Sequence, residues 1–473
     1  MPARDCPAFS FFPDRQVRAV IDYRDQPQAI RSLVRAHGVH RDLYLSESLF
    51  RLEQAHLFAN TWNFIGHASQ IPKAGDFITL ELAGRPLLMI RHGDGSIKVL
   101  MNRCAHKGMM LSSERSGNAG RAITCPYHGW AFRTDGSLLG VPLRESYEGT
   151  GLHQSEAGMG LVPVRNVAIH RGFVFARLGE SGVAFRDYFG DGMLAVLDNV
   201  ADRSPEGELE VAGEPLRNII RCNWKMYLEN VNDNPHTPTT HQSSALTAKA
   251  VWNAMPAGGP KPMGMEQLLP FGEGYDLMIA IAGRYFPNGH NISGTRESLH
   301  TGYAAVPGYE EALIKAHGEA RARTVLGFMP QNTVFYPGVA LKSSPQTMRV
   351  LRPLAVDRTL VETWAFRARG APALLLERTQ TYNRLVFSPT SIVAHDDVHI
   401  FETMQRGLQA TGNEWVSLHR GFRAEELQVG EMDADGASEA LVRNQYRAWS
   451  RYMTLDMPDD KPEFAGEAGA ARQ

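Results

Sequence analysis

Four residues in the first third of the chain have the chemistry to hold a metal centre. Cys104-Ala105-His106 is followed, after eighteen residues, by Cys125-Pro126-Tyr127-His128. Each pair joins a thiolate to an imidazole, and a β domain can present each pair from one loop tip, so that two loops clamp one centre. A structural zinc site also accepts two Cys and two His. Zinc sites usually pair like with like, however, as Cys-x2-Cys and His-x3–5-His. One of each per loop suits a two-iron cluster in which one iron takes two thiolates and the other two imidazoles. Neutral imidazoles leave such a cluster less negative, which raises its potential and makes it a one-electron relay.

A second cluster of candidate ligands is Asp233-Asn234-Pro235-His236-Thr237-Pro238-Thr239-Thr240-His241. Two imidazoles and a carboxylate this close invite a metal, although a metal-free helix end can carry the same residues. On a straight helix His236 and His241 would point about 140° apart and could not share an ion. Pro235 and Pro238 disfavour a regular helix, so the chain kinks and can turn both rings to one side. Asp233, just before the kink, is placed to orient an imidazole through its ring N–H. Two His and one carboxylate are what a non-haem Fe(II) site needs while leaving positions open for O₂ and substrate.

The two motifs, in this order, resemble the Rieske non-haem iron aromatic ring-hydroxylating oxygenases, in particular their catalytic (alpha) subunit. The run from Cys125 through His128 to Gly129-Trp130 looks like the family's second cluster loop almost word for word, with a slightly long spacer around Gly117–Arg121. Gly66-His67, Gly75-Asp76 and Gly172-Phe173-Val174-Phe175 are similar to landmarks of its Rieske domain. Asn223-Trp224-Lys225, Glu229-Asn230, Glu362-Thr363-Trp364 and Gly370-Ala371-Pro372 are similar to the surroundings of its iron site. The likeness runs from about Trp62 to Leu408.

The resemblance implies that Cys104 and Cys125 bind the inner iron of a Rieske 2Fe–2S cluster, and His106 and His128 the outer one. It implies a mononuclear Fe(II) on His236, His241 and Asp397. Asp396 is the competitor for the last place; its plain reading is an N-cap for a helix from Val398 to Leu408. His395 and His399 have ligand chemistry but no place in the pattern. Family members are trimers, and there Asp233 would bridge the cluster ligand His128 of one subunit to His236 of its neighbour. Many members carry Asn four residues before this Asp. Here Glu229 stands at that offset and Asn230 at three, which leaves the role of the position open.

The implied activity is that of a terminal oxygenase component. It takes O₂ and electrons from a reductase, sometimes through a ferredoxin, and hydroxylates an organic, aromatic substrate. Ring dihydroxylation and monooxygenation, including demethylation, are both within the family. A Rieske electron carrier with a degenerate second site is the reading from a different class, and the complete set Asp233, His236, His241 and Asp397 argues against it. Besides a homotrimer, a small beta subunit is an expected partner. The substrate pocket is expected between about Ala245 and Gln346, where Arg284 could meet a substrate carboxylate.

The elements that must position these residues can be read from the rest of the chain. Its 473 residues are 43% hydrophobic and 21% charged, with a formal net charge of −2, which suits a chain of two or three domains with a sizeable core. That balance leaves no electrostatic footprint for nucleic acid or an anionic membrane. No apolar run approaches a membrane span, and the first twelve residues lack a secretory pattern, so the expected location is cytoplasmic. With only Cys6, Cys104, Cys125 and Cys222, no disulfide framework is expected; Cys222 reads as a small buried apolar group.

The short runs Phe77–Leu82, Pro86–Arg91 and Ile97–Asn102, cut by Gly-Asp turns, have the texture of a small antiparallel β domain. Glu47–Leu57 and Asn223–Asn230 read as helix, and Val361–Arg367 as a half-buried strand. Asn253–Gly274, rich in Gly, Pro and Met, reads as a lid loop or a disordered insertion. The expected fold is α+β, an all-β Rieske domain plus a catalytic domain with an antiparallel sheet flanked by helices, of helix-grip or START-like type. The expected divisions are an N-terminal segment at 1–59 packing on the catalytic domain, the Rieske domain at 60–179, the iron domain at 180–460 and a flexible tail at 461–473.

Overall fold

Turn residues and alternating apolar runs build the first half. In the computed structural model of the chain, which describes residues 21–152, 158–299, 306–427 and 430–454, the expected strands form as Asp76–Leu82, Arg85–Arg91 and Ile97–Met101. They pair antiparallel with one another, and Ser116–Asn118 adds to the edge of Asp76–Leu82. Leu87 to Ile90 are buried without a break because the strand has core on both faces. Leu88 and Ile90 pack with Cys104, Cys125 and Trp130. Leu87 and Met89 pack with Ile65 and Val174. A three-stranded meander, Ala122–Thr124, Ala131–Arg133 and Leu138–Gly140, carries the second Cys/His loop. A further sheet of Asn63–His67, Asn166–His170 and Phe173–Arg177 closes the unit.

The second half is a nine-stranded sheet. Its strands are β1 (Leu209–Val211), β2 (Leu216–Ile220), β3 (Gly283–Tyr285), β4 (Asn291–Ser293), β5 (Asn332–Phe335), β6 (Val339–Lys342), β7 (Thr347–Ala355), β8 (Arg358–Ala368) and β9 (Met432–Ala434). The order across it is β1-β8-β7-β6-β5-β4-β3-β9, with β2 also pairing β8, and every pairing is antiparallel. Helices α1 (Trp224–Val231), α2 (Gln242–Ala254), α3 (Ala394–Gly407) and α4 (Ala440–Met453) flank it. The fold is therefore α+β with the expected antiparallel catalytic sheet.

One sheet face meets the Rieske half. Trp364 of β8 stands edge-on to Phe64 at 5.4 Å between ring centroids, and Phe366 lies 5.4 Å from Phe173. Alternation along the strands sends their neighbours to the opposite face, toward α1.

The helix beginning at Glu47, capped by Ser46, continues through a wider turn to Phe58. That turn buries Glu53, which accepts hydrogen bonds from Trp224 Nε1 (2.9 Å), Trp449 Nε1 (2.7 Å) and Lys225 Nζ (2.5 Å). It thereby ties the N-terminal helices to α1 and α4. Two expectations change. Asn253–Gly274 is not a bare loop: Met263–Leu268 is helical, and Leu268 and Phe271 are buried against Tyr382, Val386 and Val393. Its apolar residues were enough to fold it down. The third helix starts at Ala394, four residues before the expected Val398, with Val393 at its cap position, so Asp396 is not an N-cap. The tail from Pro458, and Cys6, lie outside the described residues. Among those residues no helix is long and apolar enough to cross a membrane.

Two candidate metal centres

The two Cys/His loops are built alike. Cys104 N–H donates to the Met109 carbonyl and Cys125 N–H to that of Trp130, each at 2.8 Å. Four residues after each Cys, Gly108 and Gly129 donate back to its carbonyl at 3.0 and 3.1 Å. Both glycines have positive φ, 78° and 69°, which L side chains rarely adopt. These turns bring the two thiols, both buried, to face one another. The imidazoles of His106 and His128 meet with ring centroids 4.6 Å apart. Trp130 stacks flat on His106 at 4.8 Å.

Burial, and the facing Cys125, hold the Cys104 thiol above its ordinary range, while backbone N–H groups of His106 and Lys107 pull it down. Burial, with the His128 charge, pushes His106 below its ordinary value, toward the neutral form that binds metal. Among the described residues His106 Nδ1 is buried without a hydrogen-bond partner. An orphaned ring nitrogen beside two facing thiols fits a metal cluster.

The second site forms where α1 ends. As expected, the two prolines break the helix: Asn234–His236 is one tight turn and Thr237–Thr240 another, before α2 begins at Gln242. His236 and His241 come to 5.5 Å between centroids. His236 Nε2 is 3.7 Å and His241 Nε2 3.5 Å from Asp397 Oδ1 on α3. One ligand atom from each of the three residues falls within 4.8 Å of the others.

Their partners set the tautomers. His236 Nδ1 bonds the main-chain carbonyl of Asp233, which only accepts, so Nδ1 carries the proton and Nε2 is bare. His241 Nδ1 faces Asp396 Oδ2 at 3.3 Å, leaving its Nε2 bare as well. Two bare nitrogens and one carboxylate oxygen converge, the donor set of a mononuclear Fe(II). Asn230 Nδ2 lies within hydrogen-bond distance of both His236 Nε2 (3.1 Å) and Asp397 Oδ1 (3.0 Å).

The surrounding residues differ from expectation in instructive ways. Asp396 is fixed by Ser244 Oγ at 3.0 Å and orients His241, a role that sequence reasoning missed. The ring of His236 is held by the Asp233 carbonyl rather than its carboxylate, whose Oδ2 stays 3.8 Å away and whose Oδ1 pairs with Arg420. Glu229 is not among the converging ligands; it accepts hydroxyls from Tyr44 (2.8 Å) and Tyr446. Burial raises it to about 7 against the pull of both tyrosines and Lys225. Arg284 is on the surface, paired with Asp433 at 2.7 Å. His395 and His399 are not among the residues that converge.

The chain matches the Rieske [2Fe-2S] domain family over residues 61–155 and the ring hydroxylating alpha subunit (catalytic domain) family over residues 197–455. The second match covers more than half of the chain. The chain belongs to the ring-hydroxylating alpha subunits. Members of the family use a Rieske 2Fe–2S cluster and a mononuclear iron. Toluate 1,2-dioxygenase subunit alpha of Pseudomonas putida is 28% identical over 436 residues, covering 87% of this chain and 90% of its own. The large oxygenase component of the naphthalene 1,2-dioxygenase system of Pseudomonas aeruginosa is 28% identical over 433 residues, covering 89% and 92%. A solved naphthalene 1,2-dioxygenase with indole bound shares the fold, at TM-score 0.71 and 23% identity, covering 93% of this chain and 97% of that one. A quaternary ammonium Rieske monooxygenase with L-carnitine follows at TM-score 0.61 and 18% identity, covering 90% and 97%.

Proposed function

We propose that this ring-hydroxylating alpha subunit dihydroxylates an aromatic ring, with His236, His241 and Asp397 holding its iron and Cys104, His106, Cys125 and His128 its 2Fe–2S cluster. The observation that carries the reading is the convergence of two bare His Nε2 atoms on Asp397. Relatives named 1,2-dioxygenases along most of the chain favour dihydroxylation over monooxygenation. When bound, the cluster relays single electrons and the mononuclear iron activates O₂ beside the substrate.

The chain's own residues do the rest. The Asp233 carbonyl and the Asp396 carboxylate keep the His236 and His241 protons on Nδ1. Asn230 steadies Asp397. Trp130, flat against His106, packs beside the histidine end of the cluster site.

His128 and Tyr127 are exposed, Tyr127 by 63%, with Met109 and Met110 each 43% exposed nearby. In this reading the surface docks on a neighbouring subunit of a homotrimer, where Asp233 bridges to the cluster. A reductase, directly or through a ferredoxin, recharges the cluster in the cytoplasm, and a small beta subunit completes the assembly. The division into 1–59, 60–179, 180–460 and 461–473 is part of the same proposal and is supported by the two family matches.

The test is turnover. Purified protein should be red-brown, with iron and acid-labile sulfide in a ratio of about three to two. With a surrogate reductase and labelled O₂ it should place both atoms of one O₂ in a ring diol. A singly labelled alcohol moves the reading to monooxygenation or demethylation. A protein loaded with both metals that oxidises nothing on an aromatic panel is an electron carrier instead.

A further inference from the structure

The sheet face opposite the Rieske half buries two cations that no carboxylate among the described residues balances. Arg349 of β7 pairs in register with Ala340 of β6, and Lys342 lies two residues further on, so both side chains leave the same face. Lys342 is 5% and Arg349 4% exposed. Among the described residues neither makes an ion pair, although nearly every other buried cation has one or donates to backbone. The Arg349 guanidinium donates to Asn332 Oδ1 at 2.6 Å and to the Tyr227 hydroxyl, both neutral groups, and among the described residues its buried Nε has no partner. Among the described residues the Lys342 ammonium has no hydrogen-bond partner; burial, with the Arg349 charge beside it, pushes it well below the ordinary range. A buried ammonium without a counter-charge is costly, and two side by side more so.

Their position says what they are for. Asn332, which holds Arg349, donates to the Val231 carbonyl at 3.1 Å, at the end of the helix that carries Asn230. Tyr227, one turn earlier on that helix, feels both Arg349 and Asp397. Arg349 thus packs against the helix that leads to the iron ligands. Aromatic rings flank them: Phe387 lies 4.5 Å under the Arg349 guanidinium, and Tyr382 5.7 Å from Lys342 Nζ.

We infer that Lys342 and Arg349 form an anion subsite that binds the carboxylate of an aromatic acid and turns its ring toward His236, His241 and Asp397. This rests on the oxygenase reading for the orientation of the ring, but not for the binding of the carboxylate. A carboxylate here accepts from a guanidinium and an ammonium at once and brings a negative charge against the pair, whereas an uncharged aromatic of the same shape brings none.

Calorimetric titration of the metal-loaded protein with benzoate and terephthalate, against benzamide and toluene, tests it. The acids should bind about 100-fold or more tightly than their neutral counterparts. Lys342→Met and Arg349→Gln should each weaken acid binding about 30-fold or more, and leave benzamide within about twofold. Lys342→Met should also melt at a higher temperature than the parent without ligand, because it removes an unbalanced buried charge; a structural lysine would lower it. Arg284→Gln, on the surface, should change nothing. Acids that bind no better than benzamide, or that bind both variants as tightly as the parent, overturn the subsite. O₂ uptake and product analysis on the same samples keep the two readings apart. Tight acid binding lost in both variants, without oxidation of any acid, leaves the subsite standing and sinks the oxygenase reading. Oxidation of toluene and benzoate alike, unaffected by either variant, does the reverse.

Discussion

Successive residues of a helix point about 100° apart, and Asp396 and Asp397 at the start of α3 use that angle to face different partners. Asp397 reaches the bare nitrogens of both histidines, and Asp396 reaches the protonated side of His241. Asp397→Ala should empty the mononuclear site and abolish oxidation, with the cluster spectrum unchanged. Asp396→Ala should weaken iron binding about 10–100-fold, the usual cost of losing a residue that orients a ligand. Metal analysis against a graded chelator separates the two, and full iron in the Asp397 variant would mean that another acid is the ligand.

Glu229 makes a second residue-scale prediction. Its carboxyl is raised from an ordinary 4.5 to about 7, burial outweighing the two tyrosines and Lys225, with Glu439 adding to the rise. The fold therefore favours its protonated form. That contribution to stability is complete below about pH 4.5 and is lost as pH climbs through about 7. Glu229→Gln, neutral at every pH, should flatten the fall in melting temperature between pH 5 and 8 and gain on the parent at pH 8. A parallel pair of melting curves would show that Glu229 is not the group titrating.

At the scale of elements, the chain is tied by one buried acid. Glu53 is fully buried, Lys225 is 4% exposed, and Glu53 joins helices from the two ends of the sequence. Breaking such a pair strands a charge, which costs about 3–5 kcal/mol, whereas replacing both partners with apolar groups is often neutral. Glu53→Gln should therefore destabilise the protein by that order in urea unfolding. Glu53→Leu combined with Lys225→Met should recover most of the loss. If the double variant is as weak as the single one, the indole hydrogen bonds to Glu53, rather than the charge, carry the contact.

For the whole molecule, the division of labour between centres is decisive. Asp233 pairs with Arg420 in the single chain, while its carbonyl holds His236. Asp233→Asn should therefore leave iron on His236, His241 and Asp397 and leave the cluster reducible by a donor. If subunits transfer electrons through this residue, single-turnover oxidation after pre-reduction should be slow or absent. Sedimentation should give three copies of the chain per particle. A variant that turns over like the parent removes Asp233 from the transfer route, and a monomer that turns over removes the trimer.

The spacing of Cys104, His106, Cys125 and His128, the kink around His236, and the alternating strands were all legible because each is local. A loop motif, a proline break and a period of two are properties of a few neighbouring residues. Resemblance carried the distant Asp397 as well. What sequence could not decide depended on contacts between residues far apart. Asp396 looked like a cap because its partner His241 is 155 residues away. Glu229 had no visible role because Tyr44 and Tyr446 reach it from opposite ends of the chain. Nothing in the sequence singled out Lys342 and Arg349, which the register of β6 and β7 turns inward, while Arg284, the cation that drew attention, went to the surface. Whether a charge is buried or balanced depends on what folds over it, and only the tertiary structure supplies that.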